Sequence, residues 1–175
     1  AQSSRLPHEG PQSAATQRAL LAQPLLATLA LRAAPLPEGD AWLTVMFPGL
    51  LHAFRNWLDQ QHDPDQDGLP EWESPLQTGL ANHPLFDRWN PAALGMDITM
   101  VESPALGAML YQECSSLISI ARRLGQEDEL PWLSRVHAQI MASVEDTWDR
   151  KSSSYVYRDS ATHLSLSNKL LAEFT

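Results

Sequence analysis

The sequence predicts an all-α fold built from antiparallel helix pairs. Apolar residues recur at helical spacing through most of the chain, with the clearest stripes between residues 16 and 61 and between 104 and 148. Helix start and stop signals bracket those stripes, and strand-like alternation is confined to Tyr155-Val-Tyr157, which reads as a short strand or an extended loop. Residues 1–15 are polar, with Pro7, Gly10 and Pro11, and read as an irregular leading segment. Residues 16–175 then form the helical domain.

In the first helical stretch Leu20, Leu21, Leu25, Leu26, Leu29 and Ala30 share a face, and Pro35 and Pro37 end it. Pro24 lies within the pattern, so the helix either begins near Gln23-Pro24 or is kinked there. Gly39-Asp40 supplies a break and an N-cap for a short helix through Phe47. Pro48 then suits the first turn of a further helix carrying Leu50, Leu51, Phe54, Trp57 and Leu58 to about Gln61. Downstream, Ser103-Pro104 is a cap followed by proline at the first helical position. Leu106, Leu110, Leu117, Ile118 and Ala121 follow, and Gly125 closes the element. Asp128-Glu-Leu-Pro131 opens another helix with a stripe of Leu133, Val136, Ile140, Val144 and Trp148. A last helical piece is expected from about Leu166 to Thr175. It closes on the apolar run Leu170-Leu-Ala-Glu-Phe-Thr, which suggests part of a larger architecture.

Composition narrows the partners. A chain of 175 residues, 43% hydrophobic and 19% charged, is ordinary for one soluble domain. A net charge of -9 argues against nucleic acid or an anionic membrane as the main partner and is compatible with cations or neutral sugars. Cys114 is the single cysteine, which rules out an internal disulfide. On a mostly apolar helix it reads as a buried structural thiol. No apolar run reaches the roughly 20 residues that span a bilayer, and Ala1 to Gly10 lack the layout of a signal peptide. The cytoplasm is the default compartment.

The segment that breaks the helical pattern carries the unusual chemistry. Asp63, Asp65 and Asp67 alternate, Gly68 permits a sharp turn, and the Leu69 carbonyl and the Glu71 side chain fill the next two ligand positions of an oxygen-donor cation loop. Three crowded carboxylates repel one another unless a cation joins them, so Ca2+ is the expected ligand and no organic cofactor is expected. The loop departs from an EF-hand at its last ligand position, where Ser74 stands, and Pro70 and Pro75 prevent an immediate exiting helix. A final carboxylate has to come from elsewhere, with Glu73, Glu102 and Glu113 as candidates. The competing reading is an acidic surface turn that caps helix ends. Beyond it, Trp72, Phe86 and Trp89 lie near Gln77, Asn82, His83 and Asp87, a mixture suited either to a small-molecule pocket or to a core between helix pairs.

The runs Asp-Pro-Asp-Gln-Asp-Gly-Leu-Pro-Glu-Trp (63 to 72) and Ser-Pro-Leu-Gln-Thr-Gly-Leu-Ala-Asn-His-Pro-Leu-Phe-Asp (74 to 87) resemble a signature of the family 63 glycoside hydrolases and of relatives acting on mannosylglycerate and glucosylglycerate. Their pattern reads roughly His-Pro-Trp-Glu-Ser-Gly-Met-Asp-Asn-Ser-Pro, preceded by Asp-x-Asp-x-Asp-Gly-Leu. Gln23-Pro-Leu-Leu-Ala27, Phe47-Pro-Gly-Leu50, Leu110-Tyr-Gln-Glu113, Ile120-Ala-Arg-Arg-Leu-Gly125, Thr147-Trp-Asp149 and the Tyr-Arg-Asp159 that follows are similar as well. The resemblance implies an (α/α)6 toroid of six helical hairpins with the pocket at one end, present here as a partial barrel that the rest of the ring completes if the chain is a fragment. It implies an α-linked glucoside or mannoside as ligand and an inverting mechanism with two carboxylates about 6.5–9.5 Å apart.

The resemblance also implies a missing group. The family's general acid is the Asp of Gly-Met-Asp-Asn, and that position is Ala81, which has no proton to give. The Glu of Trp-Glu-Ser-Gly is Gln77, and the second catalytic carboxylate of the family lies beyond Thr175. Natural loss of activity, a replacement acid such as Glu73 or Asp87, or an introduced Asp-to-Ala change would each account for Ala81. Trp72, Gln77, Asn82, Asp87 and Trp89 are the expected sugar-facing residues. The runner-up is a non-catalytic carbohydrate-binding or calcium-dependent scaffold domain.

Overall fold

A computed structural model of the chain describes residues 21–35, 38–78 and 97–166. The expected segment 1–15, the terminal helical piece after Leu166, and Ala81, Asn82, Asp87 and Trp89 lie outside the described residues. Four α-helices carry the fold: α1 (Leu26–Ala33), α2 (Asp40–Trp57), α3 (Pro104–Leu124) and α4 (Leu130–Asp146). Successive helices pack on one another, and α3 is the central one, touching α1, α2 and α4. No described helix is long and apolar enough to cross a membrane.

The boundaries of α3 follow the sequence signals. The Ser103 hydroxyl accepts the Leu106 N–H at 3.3 Å, Pro104 occupies the first turn, and Gly125 ends the helix in the left-handed region at φ 68°. Leu106, Leu110, Cys114, Leu117, Ile120 and Ala121 are fully buried, as α3's place between its three neighbours requires. The Cys114 thiol is pushed up to about 12 by burial and donates to the Leu133 carbonyl, the chemistry of an inert packing group.

α1 begins after Pro24, so the helix starts there rather than kinking. Its first turn has no cap of its own, and the buried Glu113 side chain of α3 provides one. Glu113 accepts the Ala27 N–H at 2.5 Å, the Thr28 N–H at 3.0 Å and the Thr28 hydroxyl at 3.0 Å. Here a carboxylate meets the unpaired N–H groups and the positive end of a helix.

Four expectations need correction. The two short helices anticipated around Pro48 are one continuous helix, α2, with Pro48 inside it. Leu43, Phe47, Leu50, Leu51, Phe54 and Trp57 form an unbroken buried face, whereas Pro48 and Thr44, whose carbonyl loses its partner, are exposed and can be served by water. Asp40 is not a cap but the first helical residue. Its carboxylate accepts from Arg123 Nε at 2.6 Å, and the same guanidinium donates to the carbonyls of Ala34 and Pro35. Trp148 does not extend the α4 stripe, because Thr147 Oγ1 takes the Val144 carbonyl and ends the helix. Asp128 likewise falls in a 3-10 turn, Glu127–Glu129, that leads into α4.

Beyond α4 the ambiguous stretch around Tyr155 resolves as strand. β2 (Trp148–Asp149) pairs with β3 (Ser154–Tyr155), and β1 (Val101–Glu102) pairs antiparallel with β4 (Arg158–Asp159). Isolated bridges add Glu71 beside Glu102 and Ser165 beside Arg158. Four chain segments therefore lie side by side in the order Glu71, Glu102, Arg158, Ser165.

Pro48→Ala restores a helical N–H at a solvent-facing position and should stabilise the chain, by up to about 3 kcal/mol. A melting temperature unchanged or lowered in this variant would show that the buried face of α2 depends on the proline's geometry.

Candidate cation and carbohydrate site

The acidic loop is closed at its base. The Glu71 N–H donates to the His62 carbonyl at 2.7 Å, and His62 is held by Asp59, whose Oδ1 takes His62 Nδ1 at 2.8 Å. The His62 ring packs against Trp57 at 5.6 Å between centroids. Between these ends the chain curls through two left-handed residues, Gln66 (φ 58°) and Gly68 (φ 93°). At Gly68 a side chain would be strained by the backbone and would meet Gln139 at 3.0 Å, so glycine is required twice over. Gln139 Nε2 and Ser143 Oγ of α4 donate to the Gln66 and Asp67 carbonyls, and the buried Leu69 side chain seats where Gly107 of α3 leaves room for it. The loop is thus pinned to the helices along its whole length.

The carboxylates converge. Asp65, Asp67, Glu102 and His163 each present a ligand atom within 4.8 Å of the others. Asp63 and Glu71 lie beside them and are buried, at 4% and 6% exposure. Asp63 Oδ2 accepts the Gly68 N–H, but Asp63 Oδ1 and Glu71 Oε2 have no hydrogen-bond partner. Burial, followed by the charge of Asp67 and contact with Asp65, pushes Asp63 up to about 7. Burial and the charges of Asp65, Asp63 and Glu102 do the same to Glu71. Asp67 and Glu102 are raised too, chiefly by burial and against the pull of Arg158 and His163. Unpaired buried carboxylate oxygens in a crowded acidic loop are the kind of donor a hard cation takes.

Two residues that sequence reasoning did not assign complete the cluster. Arg158, at 7% exposure, donates from Nε to Glu102 Oε2 at 2.6 Å, from Nη1 to Asp146 Oδ2 at 2.6 Å and from Nη2 to Asp67 Oδ2 at 3.3 Å. His163, at φ 54°, places Nδ1 2.6 Å from Glu102 Oε1 and Nε2 3.6 Å from Asp65 Oδ2. The only hint was the Tyr-Arg-Asp159 piece of the family resemblance, because nothing local to residues 158–163 announces a partner 91 residues upstream of Arg158.

Of the candidates for a final carboxylate, Glu102 alone reaches the loop. Glu113 caps α1, and Glu73 faces the other way: its Oε2 accepts from the Leu21 N–H and Gln77 Nε2 at 3.1 Å, and its Oε1 lies 3.2 Å from His62 Nε2. Burial raises Glu73, but the Leu21 N–H and His62 outweigh it, so the group sits below the usual carboxylate range. Among the expected sugar-facing residues, Trp72 is buried edge-on to Trp57, with 5.7 Å between centroids. Gln77 is also buried. Its Oε1 accepts the Glu73 and Ser74 N–H groups, and its Nε2 donates to the Leu21 carbonyl and to Glu73. These contacts hold the turn through the short 3-10 element Pro75–Thr78 that leads toward Ala81.

Four helices, three of them packed on the central α3, with an acidic loop and two short strand pairs beside them, make a mostly helical domain consistent with part of a helical barrel. The chain belongs to the mannosylglycerate hydrolase MGH1-like glycoside hydrolase domain family, whose model matches residues 1–175. The same helical fold occurs in the GH63 mannosylglycerate hydrolase from Thermus thermophilus. Its glucose complex superimposes with a TM-score of 0.69 at 20% identity, covering 89% of this chain and 46% of that one. The complex with Tris and D-glycerate gives 0.70 at 18% identity, covering 89% and 50%. The chain therefore spans about half the length of these structures. No curated protein matches it in sequence.

A pH dependence follows from the buried acids. Asp63 and Glu71 have ordinary values of 3.8 and 4.5 but about 7 in the folded chain, so the folded state binds more protons between those limits. Without divalent cations, stability should fall as pH rises through that window, and His163, raised by Glu102, adds to the same trend. In chelator the melting temperature should be lower at about pH 8 than at about pH 5, and a rise would contradict the assignment.

Proposed function

We propose that this domain binds an α-linked glucoside or mannoside at a pocket walled by the stretch after the acidic loop, and that hydrolysis is disabled at Ala81. The observation that carries the reading is the family match over the whole chain, which makes the motif comparison at residues 74–87 a comparison of like with like. In that motif Ala81 stands where the family has its proton donor. Inverting hydrolysis needs one carboxylic acid to protonate the leaving oxygen and one carboxylate to activate water. Asn82, Asp87 and Trp89 are the residues we assign to the sugar, two for its hydroxyls and one for an apolar face. The pocket is completed by further hairpins of the ring, in keeping with the greater length of the neighbouring structures.

The acidic loop we assign to Ca2+. Asp63, Asp65, Asp67 and Glu71, with the Leu69 carbonyl, would hold it, and Glu102 stands beside them as the extra carboxylate. The unpartnered oxygens of Asp63 and Glu71 support this set. A bound cation supplies charge neutralisation. The residues then do the mechanical work: a loop fixed at 63–71 fixes the start of the stretch that runs through Gln77 to the pocket.

Two measurements test this reading. Wild-type protein should show saturable binding of a methyl α-glucoside, a methyl α-mannoside or a glycosylglycerate by calorimetry, without turnover. Ala81→Asp, in the protein carrying its complete ring, should raise hydrolysis of an aryl α-glycoside by about two to four orders of magnitude, the scale of general acid catalysis. Robust turnover by the wild type would overturn the claim that the site is disabled. Absence of any sugar binding would leave only the calcium-dependent scaffold.

A further inference from the structure

We propose that Arg158 is the positioning residue of the cation site: by engaging Glu102 Oε2 and Asp67 Oδ2 it sets the direction of these two acids and leaves Asp63 Oδ1 and Glu71 Oε2 as the open donors. This inference rests on the assignment of the acidic loop to Ca2+ and extends it to a residue outside the loop's own ligand pattern.

The geometry separates two groups of carboxylate oxygens. Arg158 contacts Glu102, Asp67 and Asp146, which belong to β1, the acidic loop and the end of α4. It bonds neither Asp63 nor Glu71, the two buried acids that each keep one oxygen without a partner, nor the more exposed Asp65. A guanidinium that only neutralised charge would engage the oxygens left without a partner. This one instead holds Glu102, the most buried acid of the set, and Asp67 in place. Its fixed fork suits that task, because three donors leave the group in different directions toward three carboxylates, which an ammonium cannot do at once.

Backbone register strengthens the case. Glu71 lies beside Glu102, and Glu102 beside Arg158, in one lateral row of strand contacts. Like charges in adjacent positions of such a row repel. Arg158 draws Glu102 toward itself through Nε, which turns the Glu102 carboxylate toward the Arg158 side of the row. The same side chain links the hairpin after α4 to the loop after α2, so the position of the site depends on a residue 91 places downstream of Asp67.

The sign of the test distinguishes positioning from charge. A positive group near a cation site opposes cation binding by Coulomb repulsion, so loss of charge alone would tighten binding. Arg158→Lys keeps the charge and loses the fork. Calcium titration by calorimetry on the full chain should show affinity reduced about tenfold or more in Arg158→Lys, the scale on which groups orienting metal ligands act. The melting temperature in chelator should change far less than the calcium-induced rise in melting temperature. Arg158→Gln, which removes the charge, would tighten calcium binding if the guanidinium acted by charge alone and should weaken it if positioning dominates, a second reading independent of the lysine variant. Calcium affinity that is unchanged or tighter in both variants would overturn the proposal. Equal losses of stability with and without calcium would reduce Arg158 to a packing role. A wild-type chain with no calcium response would refute the cation assignment itself, and the positioning role with it.

Discussion

The site is organised by the cost of bringing five carboxylates, Asp63, Asp65, Asp67, Glu71 and Glu102, into one partly buried cluster. Water cannot reach Asp63 Oδ1 or Glu71 Oε2, and no protein donor replaces it. An uncompensated buried charge costs about 3–5 kcal/mol, a large share of the roughly 5–15 kcal/mol by which a domain is stable. The chain meets this cost in two ways. Arg158 and His163 pair with Glu102, and the buried Asp63 and Glu71 hold protons well above their ordinary range. The loop keeps its shape because the helices around it do not yield: α4 holds its carbonyls, α3 receives Leu69, and Trp57 backs His62 at its base.

The same solution appears at α1. Its first turn has no local cap, and Glu113 reaches across from α3 to supply one. Arg123 does the converse at the other end of α3, donating to two carbonyls of the turn between α1 and α2 while pairing with Asp40. Charged groups on the central helix thus secure both ends of α1. In each case the charge meets backbone groups at a helix end, so the interactions fix geometry and do more than a surface ion pair would.

What was legible in the sequence was whatever is encoded locally. Ser103-Pro104 and Gly125 delimit α3 because caps act within a few residues, and alternating aspartates followed by glycine describe a loop whose donors come from one short stretch. What could not be read depends on distant partners. Pro48 resembles a helix start in isolation, and only the continuous buried face of α2 shows that the helix passes through it. Asp40 resembles a cap until Arg123 is placed beside it. Glu73, Glu102 and Glu113 were equivalent as sequence, and the fold sends each to a different task. Arg158 and His163 had no local signal, because the strand register that brings them to the loop is set by pairing across more than 50 residues.

The identity of residue 81 can be weighed against this arrangement. Two nearby acids were considered as replacements for the missing proton donor, and their environments separate them. A general acid at neutral pH needs a raised value and a free proton to deliver. Glu73 has neither: the Leu21 N–H, the Gln77 amide and His62 all favour its charged form, and both of its oxygens face the inside of the turn. Making it an acid would mean breaking the contacts that hold the segment leading to the pocket. The raised carboxyls of the cluster, Asp63 and Glu71, are closed off in the cation loop. Asp67 and Glu102, raised as well, are held by Arg158. This supports the proposal of an unfilled acid role at Ala81, with Asp87 the other replacement that the motif offers.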